Sequence, residues 1–255
     1  MGERYWEVDA IRGLALAGMI VFHLISLMVI LHMTITTDVY LYLCQYIHLG
    51  TSIFVLISGV ALVLRHGRME GKPKKEYYRA IAKRGLQVFL IGLAIAVVGS
   101  ILIYFIVGDG RYMFFNFLQM MGVSMILSIP FLRFGKWNII PAVLCILLGF
   151  FLETVRGPLW LMVFGILPGD YYPRDFFPIF PWLGIMLLGI AIGAVVYPGG
   201  KRKFTIADPG RIGRMFAFVG KYPLEIYLLH IPVLFAVLWV IMTVTHLLGV
   251  PWGYL

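Results

Sequence analysis

Long apolar runs separated by short polar segments make up most of this chain. Crossing about 30 Å of hydrocarbon takes about 20 helical residues. Seven runs approach or reach that length, namely residues 10–32, 41–64, 85–107, 114–132, 138–152, 177–197 and 222–248. The pattern predicts an all-α polytopic membrane protein, a bundle of about seven transmembrane helices. The shorter apolar segment 158–168 suits a re-entrant or interfacial position, and would make an eighth span only if it crossed.

The composition agrees with this pattern. Hydrophobic residues form 61% of the 255 residues and charged residues 13%, which excludes a soluble globular domain. The first apolar run lacks a small-residue cleavage site and reaches spanning length, so it is expected to be a retained helix. We predict one transmembrane domain over residues 1–255. The two cysteines, Cys44 and Cys145, show no metal-type spacing, and no metal site is predicted.

The charge distribution predicts how the chain lies in the membrane. The net charge is +9, and residues 1–12, 65–84, 133–136 and 201–221 hold 18 of the 21 lysines and arginines. This alternation is the positive-inside pattern, which places the N-terminus in the cytoplasm and, with seven spans, the C-terminus outside. The cations therefore point to a multi-pass protein of the cell membrane in contact with lipid, rather than to a nucleic-acid binder.

Ionisable residues in the first helix suggest a function, because such groups are costly inside hydrocarbon. Asp9 and Arg12 are three residues apart at its cytoplasmic end and can pair. His23 lies about three helical turns beyond Arg12, on the same side of the helix. These positions predict a polar passage that leads inward from the cytoplasmic face.

Other polar residues fall near the depth of His23. At about 1.5 Å per residue, His23 and His48 share one layer, with Gln119 close to it and His230 slightly lower. Polar side chains from several helices at one depth predict a buried polar chamber. Such a chamber could serve a proton-coupled transporter, a bis-histidine haem protein or a transferase that uses a neutral histidine as base. Composition leaves these classes open. The sequence shows no pair of interrupted helices in corresponding halves, a feature of many transporters, and this weighs against transport.

Four segments in order resemble one enzyme family. They are RYWEVDAIRGLALAGMIVFH (4–23), IFVLISGVALVL (53–64), FFPIFPWLGIMLLGIAIG (176–193) and GKYPLEIYLLHIPVL (220–234). Together they are similar to the heparan-alpha-glucosaminide N-acetyltransferase catalytic-domain family, whose members open helix one with Arg, then Asp, then Arg-Gly. A more distant likeness is to membrane sugar O-acyltransferases, which also open with Asp and Arg-Gly before a histidine.

The resemblance implies transmembrane acetyl transfer from cytoplasmic acetyl-CoA to an amino sugar presented on the outer side. The family's catalytic histidine corresponds to His48, which we expect to act as general base or transient acetyl carrier. Many bacterial relatives have a histidine where this chain has Gln119, so any titratable role at that position is lost or moved. We assign Asn116 and Gln119 as amide donors to the oxyanion and His23 as a supporting hydrogen-bond partner.

The remaining expected site residues follow from which side each substrate approaches. Cations at the inner helix ends suit the phosphates of CoA, and the predicted donor-binding set is Asp9, Arg12, Lys83, Arg84, Lys221 and His230. The outer loop offers aromatic faces and a carboxylate for a sugar or glycan, and the predicted acceptor-binding set is Tyr172, Asp175 and Trp182. A second copy of the chain, forming a homodimer, stays open as a further partner.

Overall fold

The computed structural model describes residues 4–31, 33, 37–69, 71, 73–108, 112–169, 171, 173 and 175–249. Within these ranges the chain forms nine α-helices: α1 (Trp6–Ile30), α2 (Thr37–Cys44), α3 (Ile47–Gly67), α4 (Lys74–Val107), α5 (Phe117–Leu127), α6 (Ile139–Glu153), α7 (Ile179–Val196), α8 (Gly210–Val219) and α9 (Pro223–Leu247). An isolated parallel β bridge also joins Arg156 and Leu167. The predicted all-α polytopic class is confirmed.

Six helical stretches of the described chain are long and apolar enough to cross a membrane. They are Trp6–Ile30, Asp38–Gly67, Lys74–Phe105, Ile129–Glu153, Ile179–Val196 and Pro223–Leu247. The predicted count of seven or eight is not confirmed. The side on which the C-terminus lies depends on the parity of that count and stays a prediction.

The difference in count arises at the predicted fourth span, residues 114–132. Only α5 forms there, with 11 residues, because Asn116 caps its start and the helix ends at Leu127. A 3₁₀ helix over Ile129–Asn138 follows, and its Pro130 has no backbone N–H with which to continue an α-helical ladder. This 3₁₀ helix instead precedes α6 and lengthens the predicted fifth span. The segment predicted as re-entrant or interfacial contains a six-residue 3₁₀ helix, Leu159–Phe164, which is too short to span.

The helices divide into two compact units, with the boundary inside α3. We call Met1–Phe54 with Ala207–Leu255 the terminal unit, and Val55–Ile206 the central unit. In the terminal unit, α1 packs against α8 and α9. A Cβ added to Gly13 would clash with the carbonyl oxygen of Phe216, and one added to Gly220 would clash with that of Asp9. Glycine at these two positions therefore lets the α1 and α8 backbones touch.

Glycines also set the packing of the central unit. Gly85, Gly92 and Gly99 recur every seven residues along α4, and the face that they share meets α5 and the segment before it. A Cβ would lie 2.8 Å from the Gly122 carbonyl oxygen at Gly85, 2.7 Å from the Gln119 nitrogen at Gly92, and 2.8 Å from the Met113 sulfur at Gly99. A pair of glycines on α7, Gly189 and Gly193, packs in the same way on α3, against Leu56 and Val60.

Candidate functional site

Asp9 holds two arginines at the start of α1. Its carboxylate accepts hydrogen bonds from Arg4, with Nε–Oδ2 2.5 Å and Nη2–Oδ1 3.3 Å. On the other side, Arg12 Nη1 lies 3.6 Å from Asp9 Oδ1, which confirms the predicted pairing of Asp9 with Arg12. The Asp9 side chain is 5% exposed and the Arg4 side chain 53% exposed, and the hydrogen bond to Asp9 raises the pKa of Arg4. Two cations on one carboxylate leave a net charge of +1.

Arg4 is the member of this cluster that the spacing alone does not identify. It precedes α1, so no helical periodicity relates it to Asp9, and the only sign of it is its place at the start of the first family-like segment. The planar guanidinium of an arginine can bind phosphate oxygens in pairs. Because Arg4 is more than half exposed, it can offer its remaining N–H groups to an anion while Asp9 holds it.

His23 and His230 meet inside the terminal unit. Their ring centroids are 4.9 Å apart at an interplanar angle of 72°. His23 Nδ1 lies 2.9 Å from the Met19 carbonyl oxygen, and His230 Nδ1 lies 2.6 Å from that of Tyr227. A carbonyl oxygen can only accept, so each Nδ1 carries the hydrogen and each neutral ring presents Nε2 as an acceptor. His230 is 7% exposed, and its Nε2 has no hydrogen-bond partner among the described residues.

His48 lies in the first turn of α3, also within the terminal unit, and its side chain is exposed. Its carbonyl oxygen accepts a hydrogen bond of 2.7 Å from Ser52 Oγ. Of the three histidines predicted to share a layer, His23 and His230 are in direct contact. The His48 side chain instead lies at the surface of the protein. Its assignment as base or carrier stays a prediction.

Asn116 and Gln119 form a reciprocal cap at the start of α5. Asn116 Oδ1 accepts from the Gln119 backbone N–H at 3.0 Å, and Gln119 Oε1 accepts from the Asn116 backbone N–H at 3.0 Å. The Asn116 amide also donates to the Gly92 carbonyl oxygen at 2.7 Å. Both ends of the Asn116 side chain are thus engaged in the fold. The Gln119 side chain makes its capping bond through Oε1 rather than through its amide nitrogen, which makes Gln119 the better of the two predicted oxyanion donors.

The predicted donor-binding cations are divided between the units. Arg12 and Lys221 belong to the terminal unit, and Lys221 follows Gly220, whose backbone packs against Asp9. Lys83 and Arg84 belong to the central unit, on the exposed side of α4. The structure therefore brings Arg4, Asp9 and Arg12 together directly, with Lys221 close to them along the backbone.

Asp175 lies in the loop before α7 with its backbone at φ 48°, a left-handed conformation that Asp tolerates better than most residues. Burial raises the pKa of its carboxyl to about 6. Trp182 is 5% exposed and packs against Phe177 with ring centroids 5.2 Å apart, so its ring lies beneath the loop rather than on its surface. Tyr172, the third predicted acceptor residue, lies outside the described residues.

Neither cysteine of the described chain forms a disulfide. In the same part of the protein no three His, Cys, Asp or Glu side chains are grouped as metal ligands would be.

One family model matches the chain. It is described as heparan-alpha-glucosaminide N-acetyltransferase, catalytic, and the match covers residues 4–232. No curated protein and no solved structure matches the chain significantly.

Proposed function

Because this chain belongs to the heparan-alpha-glucosaminide N-acetyltransferase catalytic family, we propose that it moves an acetyl group from acetyl-CoA at the cytoplasmic face of the cell membrane to an amino sugar at the outer face. Membership makes it a multi-pass membrane acetyltransferase that acts on amino sugars. The observation that carries the proposal is the extent of the match, residues 4–232, which includes five of the six described stretches long enough to span and the first part of the sixth, α9.

The proposed reaction is aminolysis of a thioester. The acceptor ammonium first loses one proton, and its nitrogen then attacks the acetyl carbonyl carbon. A C–N bond forms, the C–S bond breaks, and CoA leaves as a thiolate. The nitrogen loses a second proton as the tetrahedral adduct collapses. One of the two protons ends on the CoA sulfur and the other passes to solvent, so that the products are the amide, free CoA and one proton.

Arg4 and Arg12 fit the donor's phosphates in this proposal. The nucleotide end of CoA is charged and has to stay at the cytoplasmic rim, while the slender pantetheine arm can reach inward. The cluster's charge of +1 and the exposure of Arg4 favour an anion there. Lys221 adds a cation within the same unit.

Two histidine sets can handle the protons. His48 is proposed as base or carrier from its correspondence to the family's catalytic position, and its exposure would let an acceptor reach it. His23 and His230 are proposed to support the reaction from within, because each presents an Nε2 lone pair. Gln119 is proposed as the oxyanion donor, since losing one such donor typically costs about 10²-fold or more in rate.

The test is acetyl transfer by the purified full chain in lipid nanodiscs with radiolabelled acetyl-CoA and a panel of amino sugars and sugar alcohols. Amide products identified by mass spectrometry are expected. Ester products alone would replace the proposal with O-acyl transfer. A Soret band in the purified protein would point to a haem protein. Accumulation of substrate in proteoliposomes without consumption of acetyl-CoA would point to transport.

A further inference from the structure

An apolar groove follows the second half of α4 in the central unit. Its volume is about 480 Å³, within the range of about 300–1,000 Å³ typical of ligand sites. One wall is a stripe of α4 that includes Leu93, Val97 and Tyr104, and the other wall is residues 112–114. Nearly all of this lining is hydrocarbon or aromatic ring. The groove is therefore suited to an apolar ligand.

The second wall of the groove is held in place by specific contacts. The Met113 backbone N–H donates to Ser100 Oγ at 2.9 Å, and the Met113 sulfur packs over Gly99. Below this point the chain reaches Asn116, whose amide is bonded to the carbonyl of Gly92, one residue before the groove begins at Leu93. The groove is thus built by the fold on both sides.

The length of the groove matches one leaflet of a bilayer. Leu93 and Tyr104 are separated by about 16 Å along α4 at 1.5 Å per residue, and half of the hydrocarbon thickness is about 15 Å. Since α4 begins in a basic segment that the positive-inside rule assigns to the cytoplasm, its Tyr104 end is the outer end. Tyr104 and Tyr112 are exposed at this end, where aromatic residues typically meet the headgroups.

The same wall is tied to the loop proposed to bind the acceptor. The Phe177 backbone N–H donates to the Phe115 carbonyl oxygen at 2.8 Å, and the Phe177 ring packs against Phe117 at 5.5 Å. Asp175 lies two residues before Phe177. These contacts join the loop to the segment that forms the second wall, at the Leu93 end of the groove, because Asn116 between Phe115 and Phe117 is bonded to Gly92.

We propose that the groove holds the hydrocarbon chain of a lipid-linked amino sugar, so that the acceptor is anchored in the outer leaflet. This inference rests on the proposed function and specifies the class of its acceptor. The groove continues the lipid-facing surface of α4, so a chain enters sideways from the bilayer and the sugar remains at the aromatic rim. Binding of an ordinary membrane lipid to the groove would not depend on a sugar amino group, whereas binding of the proposed acceptor would, and this difference distinguishes the two occupants.

The test compares hexadecyl glucosaminide with methyl glucosaminide as acceptors in nanodiscs of one lipid composition. Val97→Trp fills the groove. Val98→Trp is a matched control, because both valines are 55% exposed on α4 and only Val97 lines the groove. Partitioning of the hexadecyl chain into the bilayer is the same for all variants, so it does not affect the ratio of their kcat/KM values. We expect Val97→Trp to lower kcat/KM for the hexadecyl acceptor at least about tenfold relative to Val98→Trp, with the methyl acceptor within about twofold.

Equal use of the hexadecyl acceptor by the two variants, or no chain preference in the unmodified protein, would overturn the inference and leave acetyl transfer intact. Absence of product from every acceptor of the wider panel would instead overturn the proposed function, and the inference with it. A second measurement covers a Val97→Trp protein that fails to fold. A diazirine-bearing hexadecyl glucosaminide should label residues 93–105 and 112–114 of the unmodified protein, and hexadecyl glucosaminide should displace it better than hexadecyl glucoside. Equal displacement by the two would identify a general lipid groove.

Discussion

The imidazole rings of His23 on α1 and His230 on α9 are in edge-to-face contact, with their centroids 4.9 Å apart. The Nδ1 of each ring is hydrogen-bonded to a carbonyl oxygen of its own helix. This geometry predicts that the two rings act together. His23→Phe and His230→Phe should each lower kcat by about tenfold, and the double variant should lose less than the product of the two losses. Contacting residues typically couple by about 0.5–3 kcal/mol. A double-mutant cycle on kcat measures the coupling, with the exposed His246→Phe on α9 as control; independent, multiplicative losses would contradict it.

His48 is expected to be more critical than either of these rings. His48→Ala should lower kcat by about 10²-fold or more, since general acid–base catalysis contributes about 10²–10⁴-fold. Acetyl-CoA affinity should stay within a few-fold because the base does not contribute to uniform donor binding. Calorimetry gives the affinity and steady-state assays give kcat. Near-normal turnover of His48→Ala beside an inactive His23→Phe or His230→Phe would move the chemistry to the paired rings.

Asp9 is expected to matter for stability and for donor binding. Asp9→Asn leaves Arg4 and Arg12 without their shared counter-charge, and breaking a buried pair from one side typically costs about 3–5 kcal/mol. The melting temperature in detergent should therefore fall, and much less so for Arg4→Ala, because Arg4 is 53% exposed. Arg4→Ala should instead weaken acetyl-CoA binding. A melting temperature for Asp9→Asn equal to that of the unmodified protein would show that the cluster is not structural.

The contact of α1 with α8 predicts a sharp difference between two glycines of one helix. Gly13→Ala places a methyl group on the carbonyl oxygen of Phe216, and backbone cannot move aside as a flexible side chain can. Gly18→Ala meets nothing within 4 Å, and alanine favours helix by about 1 kcal/mol over glycine. Thermal unfolding should show Gly13→Ala strongly destabilised and Gly18→Ala unchanged or slightly stabilised. Similar melting temperatures for both variants would refute this packing.

Asp175 predicts a pH dependence of stability with a defined sign. Burial raises the pKa of its carboxyl to about 6, above the ordinary 3.8, so the folded state favours the protonated form. The stability that this group contributes is full below the ordinary pKa and is lost as the pH rises through about 6. Asp175→Asn mimics the neutral form and also tolerates the left-handed backbone. Its melting temperature should match that of the unmodified protein only below the ordinary pKa of 3.8, and should exceed it by a margin that grows up to about pH 6 and is then constant; a difference that does not change with pH would contradict the assignment.

Binding of the acceptor should show the opposite trend, because an ammonium group favours the ionised carboxylate. The KM for an amino sugar should therefore fall as the pH rises through about 6, and this dependence should disappear in Asp175→Asn. Comparing the two pH profiles separates a binding role for Asp175 from a purely structural one.

Local spacing was enough to predict several features of this protein. Helix geometry alone places Asp9 within reach of Arg12. It also puts Gly85, Gly92 and Gly99, which are spaced seven residues apart, on one face of α4. The long apolar runs of α1, α4 and α9 also predict membrane-spanning helices, because their side chains favour the hydrocarbon of a bilayer over water. Residues 114–132 misled the prediction, because apolar length does not reveal that Asn116 caps a short helix and that Pro130 follows it.

Three contacts are decided by the tertiary structure alone: His23 with His230, Arg4 with Asp9, and residues 112–114 with α4. A soluble helix shows its partner-facing side by an apolar stripe, but these helices are apolar on nearly every side, so periodicity does not tell which side meets a neighbour. His23 and His230 are also more than 200 residues apart in the chain, and Arg4 precedes its helix, so no local rule relates either of them to its partner. The sequence by itself therefore determined the class of the protein and the polar groups within its membrane helices, while the rotation and docking of those helices decided which of these groups meet.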